Sequence, residues 1–236
     1  MKQTAKRLPR CAEIAWIAGI VFCSLGVCLS ANSGFGVSMV AAPAYVLFSY
    51  LSTLLPWITF GITEYILQGV MLLLLAVILR RFKWKYPLAF LTGVLYGLCL
   101  DGWRMLFGQN VYDSMALRVV AAVAGAVITA FAIACFLRSY LPQQVYELIV
   151  KEVVDKYRFP VGKVKWIYDI SSLVAAVVMM LVFFRRFDPQ LVGIATLVLT
   201  VVITPMITLW GKLIDRFCGM DPVSGRFFRW FEKHFN

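Results

Sequence analysis

The stretch FGITEYILQGVMLLLLAVIL, residues 60–79, decides the fold class of this chain. It carries one charged residue, Glu64, and is followed directly by the basic pair Arg80 and Arg81. A helix of about 20 apolar residues matches the roughly 30 Å hydrocarbon core of a bilayer, so the stretch predicts a membrane-spanning helix. The basic pair predicts that this end of the helix faces the cytoplasm, because short cytoplasmic loops are enriched in Lys and Arg.

Five further apolar stretches are long enough to cross a bilayer, so the sequence predicts six spans. Of the 236 residues, 61% are hydrophobic and 15% are charged, whereas soluble domains have about 45–50% apolar and about 25% charged residues. This composition argues against a cytosolic enzyme, a secreted disulfide scaffold and a disordered chain. The predicted spans are residues 12–31, 60–79, 87–107, 116–137, 166–184 and 190–211.

The distribution of positive charge predicts the orientation of the chain. The net charge is +11, from 23 basic and 12 acidic residues. Six spans place all but four of the basic residues on the side of both termini, which predicts cytoplasmic termini in a bacterial plasma membrane. The clusters lie between apolar runs, so we expect contact with anionic membrane lipids and no nucleic-acid binding. The four basic residues on the other side are Arg104, Arg118, Arg185 and Arg186.

The two halves of the chain follow one plan, in which a span leads through a long connector to two closely spaced spans. A shift of 105 residues superposes Arg80-Arg81-Phe82 on Arg185-Arg186-Phe187, and Glu64 on Asp169. Because each half has an odd number of spans, the second half must cross the membrane in the opposite sense. Inverted duplication of this kind is a recurring plan of secondary transporters.

We therefore predict an all-α integral membrane protein with six transmembrane helices, arranged as two inverted 3+3 repeats. Each repeat has an amphipathic or re-entrant connector after its first span. The repeats are residues 1–110 and 111–215, and residues 216–236 form a basic, aromatic interfacial tail on the cytoplasmic side.

The second connector, residues 138–164, has the pattern of an amphipathic surface helix. Ser139 is the predicted N-cap, and Pro142 suits the first turn. The first connector, residues 32–59, has no charged residue and predicts a re-entrant or interfacial segment. The predicted apolar stripe of the second connector is Val145, Leu148, Ile149 and Val153. Its predicted solvent-facing residues are Glu147, Lys151, Glu152 and Asp155.

The sequence has no pattern of catalytic or metal-binding residues. The single histidine is His234, the six cysteines form no C-x-x-C pair, and Gly211-Lys212 lacks a preceding phosphate-binding loop. We therefore predict that the protein is not an enzyme and has no catalytic residue, metal site or cofactor.

Polar residues inside predicted spans are candidates for a substrate or ion path, because a carboxylate at bilayer depth usually faces a cavity or a partner. Gln68 follows Glu64 by one turn on the same face of its helix, and Lys165 precedes Asp169 by one turn. With inverted halves, Glu64 and Asp169 would flank the midplane. Alternatively, both acids reach interfacial water, and Lys165 neutralises Asp169 as an i,i+4 pair.

Further residues are candidates for a path, structural or gating role at bends and close helix contacts. Asn32, together with Gly34 and Gly36, would expose backbone groups to a solute or form a tight turn. The Gly93-xxx-Gly97 step predicts close helix packing, within the chain or between two copies. The remaining residues of this group are Pro43 in the first connector and Asp101, which either pairs with Arg104 or contributes to gating.

Several short motifs resemble the YczE/YitT-like bacterial membrane proteins. In the first half they are Gly26, Ala31-Asn32-Ser33-Gly34-Phe35-Gly36, Pro43, Phe60-Gly61, Arg80-Arg81, and Gly93 leading to Asp101. In the second half they are Pro142, Lys165 with Asp169, and Gly193-Ile194-Ala195-Thr196. The chain departs from the family pattern at Ala195, where glycine is frequent, and at the basic Arg185-Arg186 turn. The resemblance implies a polytopic bacterial membrane protein for which transport is the usual supposition.

The functional expectation is a small secondary transporter or permease for a small polar or cationic solute. Two alternatives remain open: a substrate-binding membrane subunit of an energy-coupled importer, and a non-transporting membrane regulator or scaffold. Membrane lipids and a small-molecule solute are the expected partners, and the size of the chain is compatible with a homodimer.

Overall fold

The computed structural model describes residues 11–80, 85–108 and 110–217, and all regular secondary structure in these ranges is α-helical. The eight helices of the described ranges, in chain order, are α1 (Ala12–Ser33), α2 (Ala42–Leu54), α3 (Phe60–Leu79), α4 (Lys85–Phe107), α5 (Met115–Phe136), α6 (Val145–Tyr157), α7 (Val161–Phe184) and α8 (Ile194–Phe217).

Four of the helices are long and apolar enough to cross a membrane. They are α1, α5, the segment Phe60–Val77 of α3 and the segment Gly162–Phe184 of α7. Their surfaces within the chain are only partly buried, so apolar side chains such as Leu73, Val77 and Val182 face outward. An outward apolar face on several long helices is the arrangement of a multi-pass membrane protein. The other two predicted spans fall on α4 and α8, which have 23 and 24 residues.

Helices α1 and α5 form the central pair of the structure, and each has 22 residues. Two glycines allow their backbones to approach closely. A Cβ atom placed on Gly26 would lie 2.8 Å from the carbonyl oxygen of Gly125, and the reverse distance is also 2.8 Å. Helices can pack this tightly only where small residues meet.

Both ends of this central pair are tied by hydrogen bonds. The Arg118 guanidinium, on α5, donates from Nε and Nη2 to the carbonyl oxygens of Ser33 and Gly34 at 2.7 and 3.0 Å. At the other end, Trp16 Nε1 donates to the carbonyl oxygen of Pro142 at 3.0 Å. The carbonyl oxygens of Ser33 and Gly34 at the end of α1, and that of Pro142 before α6, therefore find partners without water.

The remaining helices pack around α1 and α5. Helix α4 packs on α1 and α3, whereas α8 packs on α5. The short helix α2 packs on α7 and α3, and the short helix α6 packs on α3, α7 and α4. Helices α2 and α6 both have 13 residues. Each of α5 and α6 begins 103 positions after α1 and α2, respectively, at Met115 against Ala12 and at Val145 against Ala42.

Arg80 and Arg185 end α3 and α7 as the sequence predicted. Both adopt the left-handed conformation, with φ of 49° and 53°. This conformation is uncommon for residues other than glycine and stops the helix, because the chain turns away from its axis. Arg158 ends α6 in the same way, with φ of 55°.

The second connector differs from its prediction at the start of its helix and at its buried acidic residues. Helix α6 begins at Val145 with Gln144 as N-cap, and the Ser139 hydroxyl instead accepts a hydrogen bond from the Leu141 amide. Glu152 was expected to face solvent, but it is buried and accepts a hydrogen bond from the Tyr86 hydroxyl at 3.4 Å. The cause is that α6 packs on three helices, so polar residues on more than one of its faces become buried.

Only the first two residues of the predicted tail, residues 216–236, lie within the described part of the chain. Helix α8 continues through Phe217, and residues 218–236 lie outside the described residues.

Candidate functional site

Glu64 is fully buried on α3, one turn after the start of the helix. Its Oε2 atom accepts a hydrogen bond from the Tyr146 hydroxyl of α6 at 2.8 Å and a longer one from Gln68 Nε2 at 3.5 Å. Its Oε1 atom is buried and has no hydrogen-bond partner among the described residues. Glu64 is therefore a buried carboxyl group through which α3 contacts α6.

Gln68 is also fully buried, and its position depends on a glycine of α4. Its side-chain amide lies directly against Gly93, where any Cβ atom would overlap Gln68 Oε1. One turn further along α4, Gly97 lies against Tyr65 and the carbonyl oxygen of Gly61. The predicted small-residue step thus packs α4 on α3 within the chain, and Gly93 makes room for the amide that approaches Glu64.

Lys165 and Asp169 form an i,i+4 ion pair on α7, with 2.8 Å between Nζ and Oδ1. The Lys165 side chain is 42% exposed, whereas that of Asp169 is 9% exposed. Ser172, less than one turn further along α7, is buried as well. Of the two alternatives for Asp169, pairing with Lys165 is therefore the contact that the structure describes.

Two residues of α6 that the sequence did not single out as path residues lie near these groups. Tyr146 donates to Glu64, as described above. Glu147 is half-buried, and its Oε2 atom has no hydrogen-bond partner among the described residues. The prediction that Glu147 faces solvent is therefore wrong: burial raises its pKa, the positive charge of Lys165 opposes that rise, and Asp169 adds to it.

The pKa of the Tyr146 hydroxyl lies well above its ordinary value, first because the residue is buried and then because Glu64 is close. The hydroxyl therefore keeps its proton at physiological pH and acts as a hydrogen-bond donor. The sequence distinguishes Tyr146 only as a tyrosine, with its polar hydroxyl, next to the apolar residue Val145. Such a residue is common at membrane interfaces and does not by itself indicate a partner.

Asn32 and its neighbouring glycines lie at the carboxyl end of α1. Asn32 Nδ2 donates to the carbonyl oxygen of Gly108 at 3.0 Å, and its own carbonyl oxygen accepts from the Tyr112 amide at 3.0 Å. Gly34 and Gly36 have φ of 67° and 97°. These contacts join the end of α1 to the loop between α4 and α5, and no described contact joins Asn32 to Glu64.

Pro43 lies at the start of α2, whereas Asp101 lies near the end of α4 and contacts the start of α3. Pro43 is in the first turn of α2, where the missing amide proton costs no intrahelical bond. Asp101 accepts hydrogen bonds from the Thr59 hydroxyl at 2.6 Å and the Gly61 amide at 2.8 Å. It therefore helps to cap α3, the helix that carries Glu64.

The helices and the buried polar group together define a helical, multi-pass membrane protein. The chain belongs to the family described as "Family of unknown function (DUF6198)", whose model matches residues 11–212, from the residue before α1 into the last two turns of α8. Searches of curated proteins and of solved structures found no match to the chain. The family description states no activity, so inferences about function rest on the site.

Proposed function

We propose that this protein is a small secondary transporter or permease of the bacterial plasma membrane, with six spans in two inverted repeats and cytoplasmic termini. Its solute is small and polar or cationic, as expected from the excess of buried acids in the spans. The sequence resemblance to YczE/YitT-like proteins supports the same interpretation.

Several helix contacts support duplication, although the extensive α3–α4 contact has no counterpart among the described contacts of α7 with α8. The pairs α1–α4 and α5–α8 correspond, as do α2–α3 with α6–α7 and α2–α7 with α6–α3. The equal lengths of α1 and α5, and of α2 and α6, agree with such a correspondence. Contacts that cross between the halves, including the central pair, are expected when two repeats enclose a common path.

Glu64 is the observation that carries the proposal. A carboxyl group that is fully buried in a membrane-spanning helix is energetically costly, and membrane proteins retain such groups mainly along substrate and ion pathways. Its described partners are neutral, and they come from its own helix and from α6 in the other half. The proposed path runs between α3, α6 and α7 and is lined by Glu64, Gln68, Tyr146, Glu147, Lys165 and Asp169.

A ligand screen on the purified, detergent-solubilised chain tests this function. The panel comprises amino acids, polyamines, quaternary ammonium compounds and sugars, each tested at several pH values. A ligand that binds the native state raises the melting temperature in a concentration-dependent way. We expect at least one ligand whose stabilising effect is lost in Glu64→Gln and Asp169→Asn, and whose labelled form enters proteoliposomes containing the wild type.

The matched control is Asp113→Asn, which neutralises an exposed acid in the loop before α5. Binding and uptake should be unchanged in this variant. A ligand that binds but does not cross the membrane would favour a substrate-binding subunit over a transporter. No stabilisation by any compound, with a well-folded wild type, would contradict the proposal and favour a membrane regulator.

A further inference from the structure

We propose that Glu64 is the site at which a proton and a monovalent cation compete, and that Tyr146 holds the carboxylate for the cation. This proposal rests on the proposed transport function and specifies its substrate or coupling ion. The two carboxylate oxygen atoms of Glu64 have different surroundings.

Both hydrogen bonds to the Glu64 side chain end on Oε2, while Oε1 is buried without a partner among the described residues. No described Lys or Arg forms an ion pair with Glu64, and Lys165, a partly exposed lysine of this region, instead binds Asp169 at 2.8 Å. Burial of an isolated carboxylate in such surroundings is strongly unfavourable, so the group is neutralised by a proton or by another cation. Oε1 is the position open to either.

Two further buried oxygen atoms in the region of Glu64 Oε1 can also act as acceptors. Gln68 Oε1 is buried on the same face of α3, and Glu147 Oε2 is buried on α6, and neither accepts a hydrogen bond from a described residue. Carboxylate and amide oxygens suit hard cations, and they equally accept hydrogen bonds from an ammonium group. The shared chemistry is therefore a small monovalent cation, either an alkali metal ion or a protonated amine.

None of the described groups around Glu64 provides a fixed positive charge that would neutralise its carboxylate. Lys165 and Asp169 act on the neighbouring Glu147, and their charges largely cancel as a pair. The titratable groups of the surrounding helices that lie close enough to Glu64 to interact with its charge are Cys23 on α1, Tyr96 on α4, Tyr146 and Glu147 on α6, and Tyr168 on α7.

The exchange step is balanced by a single proton. In the proton-loaded form the Glu64 carboxylic acid is neutral. When the cation binds, the O–H bond breaks, the proton leaves to water and a contact between the cation and the carboxylate oxygen forms. The Gln68 amide can serve both forms, because rotation about its last bond presents either Nε2 to a carboxylate or Oε1 to a carboxylic acid.

Tyr146 is the positioning residue in this scheme. Its hydroxyl can donate to the carboxylate in the cation-loaded form, and it sits on a short helix outside the proposed spans. The segment before α6 is anchored at Pro142, whose carbonyl oxygen accepts from Trp16 Nε1 and the Thr92 hydroxyl, both at 3.0 Å. A shift of α6 about this anchor would withdraw the Tyr146 donor and favour the proton-loaded form.

Calorimetric titration of the full chain in detergent tests the exchange. The probes are NaCl, KCl, LiCl, methylammonium chloride and guanidinium chloride, each in two buffers of different ionisation enthalpy. We expect one class of probe to bind and to release about one proton per cation, so that its affinity falls on the order of tenfold for each pH unit of acidification. MgCl₂ is a further probe, and binding of Mg²⁺ alone would overturn the assignment to a monovalent cation.

Three variants locate the effect. Glu64→Gln should abolish cation binding and proton release, whereas Tyr146→Phe should weaken the affinity about tenfold or more by removing a donor to the carboxylate. Glu152→Gln is the matched control, since Glu152 is also a buried acid on α6 with a tyrosine partner, and its binding should equal that of the wild type. Cation binding that survives in Glu64→Gln, or that releases no proton, refutes the proposal.

Infrared difference spectra of the wild type provide a test that does not depend on variant folding. The carbonyl stretch of a protonated carboxyl group should disappear when the cation is added at constant pH, and its persistence would contradict the exchange. If cations exchange with protons but no flux occurs in proteoliposomes, the transport function fails and the site remains. If neutral solutes cross without cation binding, the transport function stands and this proposal fails.

Discussion

Replacing Gly26 by alanine should destabilise the protein by separating its central helix pair. The added Cβ atom would lie 2.8 Å from the carbonyl oxygen of Gly125 and 2.9 Å from the Thr129 amide nitrogen, and it would overlap the Thr129 hydroxyl. The hydroxyl can rotate away, but the backbone atoms cannot move without shifting α5. Contacts below 3.0 Å do not occur for real Cβ atoms, so α1 and α5 must move apart by several tenths of an ångström.

The expected cost follows from comparison with a second glycine. Overpacking in a close-packed core costs about 1–3 kcal/mol, and a backbone obstacle places Gly26→Ala towards the upper end of that range. Alanine also favours helix by about 1 kcal/mol relative to glycine. Gly102→Ala on α4 receives the same propensity gain, but its added Cβ atom has no neighbour within 4 Å. The difference between the two variants therefore isolates the clash, about 1–3 kcal/mol.

The assay is reversible unfolding of both variants in mixed detergent micelles, followed by tryptophan fluorescence. We expect Gly26→Ala to unfold at a lower denaturant fraction than the wild type, and Gly102→Ala at an equal or higher fraction. Gly125→Ala should behave like Gly26→Ala, because its Cβ atom meets the carbonyl oxygen of Gly26 at 2.8 Å. Equal stability of Gly26→Ala and Gly102→Ala would refute the close contact of α1 and α5.

Two further predictions concern the residues around the site. Asp101→Ala removes the acceptors for the Thr59 hydroxyl and the Gly61 amide, so it should lower the free energy of unfolding by about 1–3 kcal/mol. The control is Asp113→Ala, which removes an exposed acid. An equal effect of both changes would contradict the capping role of Asp101. The raised pKa of Glu147 means that the native state binds its proton more tightly than the unfolded chain does, so stability should fall as the pH rises above the ordinary value of 4.5 towards the raised pKa. Glu147→Gln should flatten this part of the stability profile, and an unchanged slope would show that Glu147 is not buried in solution.

The positions of the long helices were predictable because they depend on the length of apolar runs. The expected span at residues 12–31 compares with Ala12–Ser33, and that at 116–137 with Met115–Phe136. Helix α7 begins at Val161 rather than at residue 166, since its first turns include Lys163 and Lys165 and continue beyond the apolar run. Hydrophobicity along the chain thus locates the apolar part of a helix, whereas a polar extension of that helix is recognised only from the tertiary structure.

The candidate site was predictable only where its contacts are local. Gln68 with Glu64 and Lys165 with Asp169 are i,i+4 pairs, and helical periodicity brings each pair together without knowledge of the fold. Tyr146 reaches Glu64 across 82 positions of sequence. Its role depends on how α6 lies against α3 and α7, and amphipathicity misleads here because it assumes that one face of a helix is buried.

The two halves share a plan of helices but differ in how they compensate buried charge. The 105-residue shift relates Glu64 to Asp169, yet Asp169 has a lysine partner at 2.8 Å, whereas the described partners of Glu64 are a tyrosine hydroxyl and an amide. The two connector helices also differ in charge, because α6 carries charged residues and α2 has none. Helix α2 packs through aromatic pairs such as Tyr50 with Phe183, whose ring centroids are 4.5 Å apart. Because a lysine partner offsets the cost of a buried carboxylate and neutral donors do so less well, the uncompensated cost is concentrated at Glu64. The proposed exchange site would therefore occur once in the chain, at Glu64, and would have no second copy at Asp169.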